Sequence, residues 1–215
     1  MAKGKLRVSV KTRENAAERR PPLRDRLISA AEQAIAGRGL SGLKARDLAA
    51  SAGCALGAIY TAFADLDELI LRVNVRTLER LEAALDAALR STDPAQALPA
   101  LARAYLDFAR REEPSWRALF QHRLPQGATV PEWYAEARNR LFGRLEAPLA
   151  ALLPSQDAAA RARLARTLFS AVHGVVALGL EEKLADTPPA LLDAQLETLV
   201  RLVAAGLSQE TGRLP

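Results

Sequence analysis

From residue 27 onward the apolar side chains of this chain recur every three or four positions, and Gly and Pro supply the interruptions. That spacing is the period of one face of an α-helix, whereas a half-buried strand alternates every second residue. No strand-like alternation and no internal repeat is visible. The composition agrees: the chain is rich in Ala, Leu and Arg and poor in β-branched runs, and unbranched side chains lose little rotamer freedom in a helix. An all-α fold is expected, and 215 residues suffice for a core in one or two domains.

Pro21-Pro22 opens the first helical run, where a missing N–H costs least. Leu27, Ile28, Ala31, Ala34 and Ile35 follow at helical spacing until Gly37 and Gly39 stop them. A short helix is predicted at 43–50, a tight turn at Gly53 and a second short helix at 55–62. Asp65 through Glu68 reads as a capping box that starts a long amphipathic helix with Leu69, Val73, Leu78, Leu81 and Leu85 inward. Further helices are predicted at 95–111, 114–122, 132–153, 156–184 and 188–208, separated by Pro114, Pro125, Pro131, Pro154 and Pro188-Pro189.

Charge is distributed unevenly. Residues 1–26 hold nine bases and three acids, a balance of +6, so with a net charge of +5 the rest sums to −1. Residues 1–21 therefore read as a basic arm, either a solvated tail or a contact for a polyanion such as nucleic acid. The first twenty residues lack the apolar run of a secretory signal, and the stretch 168–180 is too short and too polar to span a membrane. One Cys excludes an intramolecular disulfide. A cytoplasmic protein with no membrane partner is expected.

A short helix, a Gly turn and a second short helix form a helix-turn-helix, completed by the preceding helix. Small Ala49 and Ala52 allow close approach, Gly53 permits the turn, and Leu48, Cys54 and Ile59 form an apolar underside. The residues Ala30-Ala31, Gly39-Leu40, Arg46-Asp47-Leu48-Ala49, Ala52-Gly53-Cys54, Gly57-Ala58-Ile59-Tyr60, Phe63 and Glu68-Leu69 stand in a characteristic order. Through them residues 24–72 resemble the DNA-binding domain of the tetracycline-repressor (TetR) family of bacterial regulators. The order Trp116, then His173-Gly174, is similar to a subgroup named for a Trp-His-Gly signature. The resemblance implies a DNA-binding domain at 22–66 and a ligand-binding and dimerisation domain at 67–210.

The family's contacts carry over to Lys44 and Arg46 on the first short helix, and to Leu56, Gly57, Ala58, Tyr60 and Thr61 on the second, which would enter the major groove. Arg46 suits a bidentate guanine contact or a phosphate clamp. Gly57 costs about 1 kcal/mol in a helix relative to Ala, compensated either by close approach of backbone to DNA or by a helix packing contact. The chain departs from the family pattern at Ala55, where Ser often caps the helix, at Thr61-Ala62, and at Leu66, commonly Lys. The basic arm and Lys44 are expected to make up the lost phosphate contacts.

In the C-terminal part, Leu164, Leu168, Ala171, Val175 and Leu178 form one apolar stripe of the 156–184 helix; Phe169, His173, Val176 and Leu180 form another. A helix apolar on two sides buries both. The resemblance implies a homodimer through this helix and the 188–208 helix, hence a palindromic operator on double-stranded DNA. Tyr105, Phe108, Trp116, Phe120, Trp133, Phe169 and His173 are candidates for an effector pocket or for ordinary core, with His122 or His173 as polar handle. An apolar or aromatic small molecule is the expected effector. The function implied is a ligand-released repressor.

Two other classes have some footing in the residues. A helical interaction module without DNA binding suits the uncharged second helix of the motif. An enzyme would use Cys54 as nucleophile with His122 or His173 as base, but Cys54 occupies a position that calls for a small apolar residue. Two histidines without close Cys spacing leave no metal site, and no cofactor is implied.

Overall fold

The computed structural model describes residues 21–183 and 191–211, and every regular element among them is helical. Helix α1 (Leu23–Arg38) buries Leu27, Ile28, Ala30, Ala31 and Ile35. A 3-10 turn (Leu40–Gly42) leads to α2 (Ala45–Ala52), which ends at Gly53 with φ 63° and ψ 51°. There the Gly53 N–H reaches the Ala50 carbonyl at 3.1 Å and the Cys54 N–H reaches Ala49 at 2.9 Å. Helix α3 (Gly57–Ala62) is six residues long and buries Ile59.

Helix α4 (Leu66–Arg90) begins where the capping box predicts: Asp65 Oδ1 accepts the Glu68 N–H at 2.7 Å. The reciprocal bond differs, because Glu68 Oε2 accepts the Ala64 N–H at 2.9 Å instead of that of the cap itself. Then come α5 (Ala97–Arg111), α6 (Glu113–Gln121), α7 (Glu132–Leu152), α8 (Ala158–Leu180) and α9 (Leu192–Thr211). The 156–184 prediction overran at both ends. Asp157 caps α8 by accepting the Ala160 N–H at 2.6 Å, and past Leu180 the backbone turns out, with φ 52° at Glu182. The last helix runs later than the 188–208 expected, and 184–190 lie outside the described residues, as do residues 1–20 of the basic arm.

Two apolar clusters result. The head gathers Leu27, Ile35, Leu48, Ile59, Phe63, Leu69 and Val73, with Ala118 of α6 reaching in. The second cluster gathers Leu71, Leu78, Leu81, Tyr105, Phe108, Trp116, Leu141, Val176, Leu192 and Leu196. Helix α4, about 37 Å long at 1.5 Å per residue, contributes to both, so Leu69 and Val73 extend the head past residue 66.

Two basic residues that precede the apolar run of α1 hold the motif together. Arg24 Nη1 donates to the Ala62 carbonyl at the end of α3 at 2.6 Å, pairs with Glu68, and lies over the Phe63 ring. Arg26 Nε donates to the Ala52 carbonyl at the end of α2 at 3.1 Å. The last carbonyls of a helix lack intrahelical partners and sit at its negative dipole end, so a guanidinium there satisfies both needs. Each helix of the motif is thus closed by an arginine from α1.

The left-handed region costs a residue with a Cβ about 1–2 kcal/mol. Gly53→Ala should therefore lower unfolding free energy by roughly that amount, read from the denaturation midpoint at unchanged m-value.

Candidate functional site: a helix-turn-helix face and an inter-helix cavity

The motif divides α3 cleanly. Ile59 and Phe63 anchor it to the head, while Leu56 (41 % exposed), Gly57, Tyr60 (55 %) and Thr61 face outward. Ala58 is half-buried at the edge of that face. The absence of Ser at residue 55 has a visible consequence: no side chain caps α3, and the Ala55 carbonyl simply accepts the Ala58 N–H at 3.0 Å. Thr61 Oγ donates back to the Gly57 carbonyl at 3.3 Å. A Cβ built on Gly57 would meet nothing within 4 Å, so internal packing does not call for glycine there. Lys44 and Arg46, on α2 and its cap, are exposed, and neither is paired with an acid among the described residues. Cys54 packs partly buried against the head cluster, whereas His173 bonds to Tyr105 in the other cluster.

Five of the seven predicted pocket residues come together. Tyr105, Trp116, Phe120, Phe169 and His173 form an aromatic group, with Phe120 4.0 Å from His173 and Tyr105 5.5 Å from Phe169, centroid to centroid. Phe108 and Trp133 stand apart. Phe108 is buried in the C-terminal core, and Trp133 carries the Arg72 guanidinium 3.7 Å above its ring. A close helix crossing falls at Gly179, where Leu192 Cδ1 would lie 2.6 Å from an added Cβ, whereas a Cβ on Gly174 would meet nothing within 4 Å.

Two cavities adjoin the group. The smaller, about 70 Å³, is apolar and touches Tyr105 and Phe169. The larger, about 350 Å³, lies between α4, α6, α7 and α8 and holds Phe120, Phe169, Phe142, His122, Tyr134 and Arg138 in its wall. Trp116 and His173 line neither; they stand behind the aromatic wall. Tyr134, Arg138, Leu141 and Phe142 were not singled out in the sequence, although their spacing of four, seven and eight residues marks one face of α7.

A bond chain runs behind the wall. Trp116 Nε1, a donor only, donates to the Tyr105 oxygen at 2.8 Å. The Tyr105 hydroxyl proton is then free to donate to His173 Nδ1, also at 2.8 Å, which leaves the imidazole neutral with its hydrogen on Nε2. Burial lowers the His173 pKa and raises that of Tyr105, so both effects favour this neutral arrangement.

Among the described residues no helix is long and apolar enough to cross a membrane, and no group of three or more His, Cys, Asp or Glu side chains could hold a metal ion. An exposed helix-turn-helix face on one cluster and a walled cavity in the other define a DNA-binding regulator with a C-terminal ligand domain. The family model for bacterial regulatory proteins of the tetR type matches residues 27–73, and that for the tetracyclin repressor-like C-terminal domain matches residues 98–203. The chain belongs to the TetR family of transcriptional regulators, whose members are not enzymes.

Solved structures agree in fold. A transcriptional regulator from Rhodococcus sp. Rha1 is 28 % identical with a TM-score of 0.61, over 85 % of this chain and 96 % of that one. The multidrug binding protein EbrR, complexed with imidazole, is 25 % identical with a TM-score of 0.56, over 84 % and 96 %. The TetR family regulator PfmR from Thermus thermophilus is 21 % identical with a TM-score of 0.55, over 82 % and 98 %. A search of curated proteins gave no match.

The His173 pKa direction predicts a pH signature. The unfolded chain protonates this residue at its ordinary value while the folded state resists, so stability is held above that value and lost as the pH falls from it toward the lowered folded one. Thermal unfolding of wild type and His173→Gln between about pH 7.5 and pH 5 should show the loss in wild type and its absence in the variant.

Proposed function

We propose that this regulator is a homodimeric repressor that a small molecule releases from a palindromic operator. The observation that carries the reading is the outward face of α3: Leu56, Gly57, Tyr60 and Thr61 are presented to solvent, while Ile59 and Phe63 hold the helix in place. A helix so anchored can lie in the major groove, and an unencumbered glycine brings its backbone close to the DNA. Lys44 and Arg46, on α2 and its cap, supply phosphate or guanine contacts. The residues proposed to touch DNA are these six together with Ala58.

A dimer is supported by what α8 and α9 leave uncovered. Ala171 and Leu178 of α8 are exposed and Leu164, Leu168 and Val175 half-exposed, while Val176 of the other stripe is buried. Leu202 of α9 and Leu191 just before it are exposed too. Twofold pairing of these faces would cover them and set two copies of α3 against two operator half-sites. The cavity of about 350 Å³ accommodates one small organic molecule. Release follows when the effector binds better to the conformation that fits the operator poorly. The bond chain from Trp116 through Tyr105 to His173 supports placing the chain in the Trp-His-Gly subgroup.

Gly57→Ala separates the DNA role of this position from a structural one. Its added methyl meets open space in the free protein, so stability should hold or rise by up to about 1 kcal/mol, while operator affinity should drop about tenfold or more by fluorescence anisotropy. Unchanged affinity would mean that the helix backbone does not approach the DNA.

Deleting residues 1–20, which hold seven bases and two acids, should weaken binding on all sequences. Each lost phosphate contact should flatten the log–log salt slope by about 0.9. A truncated protein with the full slope would remove the arm from the interface.

A further inference from the structure

The larger cavity is not uniformly apolar, and its polar groups are mostly donors without acceptors. We infer that it takes an effector with an apolar, ring-bearing body and one anionic head, the head held by Arg138 and the Tyr134 hydroxyl. This deepens the effector-cavity reading above and rests on it.

Arg138 lines the cavity from α7 and reaches solvent at its mouth; its guanidinium lies 5.4 Å from the Tyr134 ring centroid, and no acid among the described residues pairs with it. The neighbouring arginines differ. Arg140 faces Glu82, and Arg144 is clamped by Glu82 and Asp86. An arginine left without a carboxylate beside a cavity is a carboxylate site in chemical terms, since its planar fork matches that group. Tyr134, one helical turn away, is buried to 7 % exposure. Burial raises its pKa against the opposing pull of Arg138 and Asn74, so its phenol keeps the proton and remains a donor.

Two further polar groups in this region have unmet capacity. Asn74 lies on α4 between the cavity residues Leu71 and Leu78 and is 1 % exposed. It stands near the Tyr134 hydroxyl, yet neither of its amide atoms completes a hydrogen bond. His122, whose side chain is 7 % exposed, lines the cavity with Nε2 unpartnered, 3.5 Å from Asp67 Oδ1 but out of hydrogen-bond geometry. Buried polar atoms without partners are costly, which marks this region as one built with more polar capacity than the free protein uses.

The electrostatics choose the end. Asp67 repels an anion at His122. Helices α4 and α7 run alongside each other, with Arg72 on Trp133 and Asp86 on Arg144, which sets Arg138 roughly 15 Å along α4 from Asp67. The anionic head therefore sits at Arg138, and the body passes Leu78, Leu81, Leu141, Phe142 and Phe169.

The test uses three molecules of one shape: 4-phenylbutyrate, its amide 4-phenylbutanamide, and the amine 4-phenylbutylamine, titrated calorimetrically into the full chain without DNA. The acid should bind about tenfold or more tighter than either analogue. Arg138→Gln should bring the acid down to the level of the amide while leaving the amide unchanged, and Arg138→Lys should restore part of the preference. Equal affinities, preference for the amine, no binding by any of the three, or an equal loss for all of them in Arg138→Gln would overturn the inference. Acid binding that leaves operator affinity unchanged would count against the effector reading and leave the anion site standing. Charge-indifferent binding combined with operator release would do the reverse.

Discussion

Leu69 and Val73 point into the head, and Leu71 and Leu78, around the same helix, point into the C-terminal cluster. No flexible linker separates the two cores, because one continuous hydrogen-bonded rod serves both. An α-helix resists bending on the scale of a few turns, so the orientation of the head follows the orientation of α4. Ion pairs reinforce this from the side. Arg76 reaches Ser29 and Glu32 of α1, and Arg80 bridges Glu32 to Glu112 at the junction of α5 and α6. Arg80 is thereby held by carboxylates from both parts of the molecule. A cavity whose wall includes Leu71, Leu78 and Leu81 is consequently a cavity built against the element that orients the head and, with it, α3.

The same economy explains why α3 carries no charge. A helix of six residues has few positions, and Ile59 within it and Phe63 just after it are committed to the head. Its negative end is closed by Arg24, and that of α2 by Arg26. These two arginines therefore belong to the fold, and Lys44 and Arg46 are the exposed bases of α2 and its cap that the proposed complex would turn toward phosphates. In the proposed complex, the small and apolar centre of the face would read shape and methyl groups while Lys44 and Arg46 would set register.

What was legible in the sequence was local. Gly53 announces its turn because few other residues adopt that conformation cheaply, and Asp65 with Glu68 announces the start of α4 because the capping bonds lie within one turn. The family order from Ala30 to Leu69 is a string of such local demands, which is why the helix-turn-helix could be placed to within two residues. Contacts across many residues were illegible. Nothing adjacent to Arg24 says that its partners are Ala62 and Glu68, and nothing distinguishes Phe108 from Phe120. Both are aromatics on amphipathic helices, and only tertiary packing puts one in the core and the other on the cavity. Gly174 stands beside His173 in the signature, yet the close crossing is at Gly179, a difference decided by the rotation of α8 against α9. The α7 face of Tyr134, Arg138, Leu141 and Phe142 has a periodic signal, but its proposed role rests on Arg138 having, among the described residues, no acid partner of the kind that Arg140 and Arg144 have.

Helix α8 shows how these constraints meet. Gly179 lets Leu192 press against the helix backbone, so α8 and α9 are locked at that end and act as a pair. The lock turns Val176 inward and Leu178 outward. One stripe then supplies Phe169 to the cavity wall and His173 to the bond chain with Tyr105, while the other leaves Ala171 and Leu178 exposed. A molecule that pushes on Phe169 pushes on the helix that carries the outward stripe. The proposed dimer contact and the proposed effector site are therefore two faces of one helix, and neither can be repacked without the other registering it.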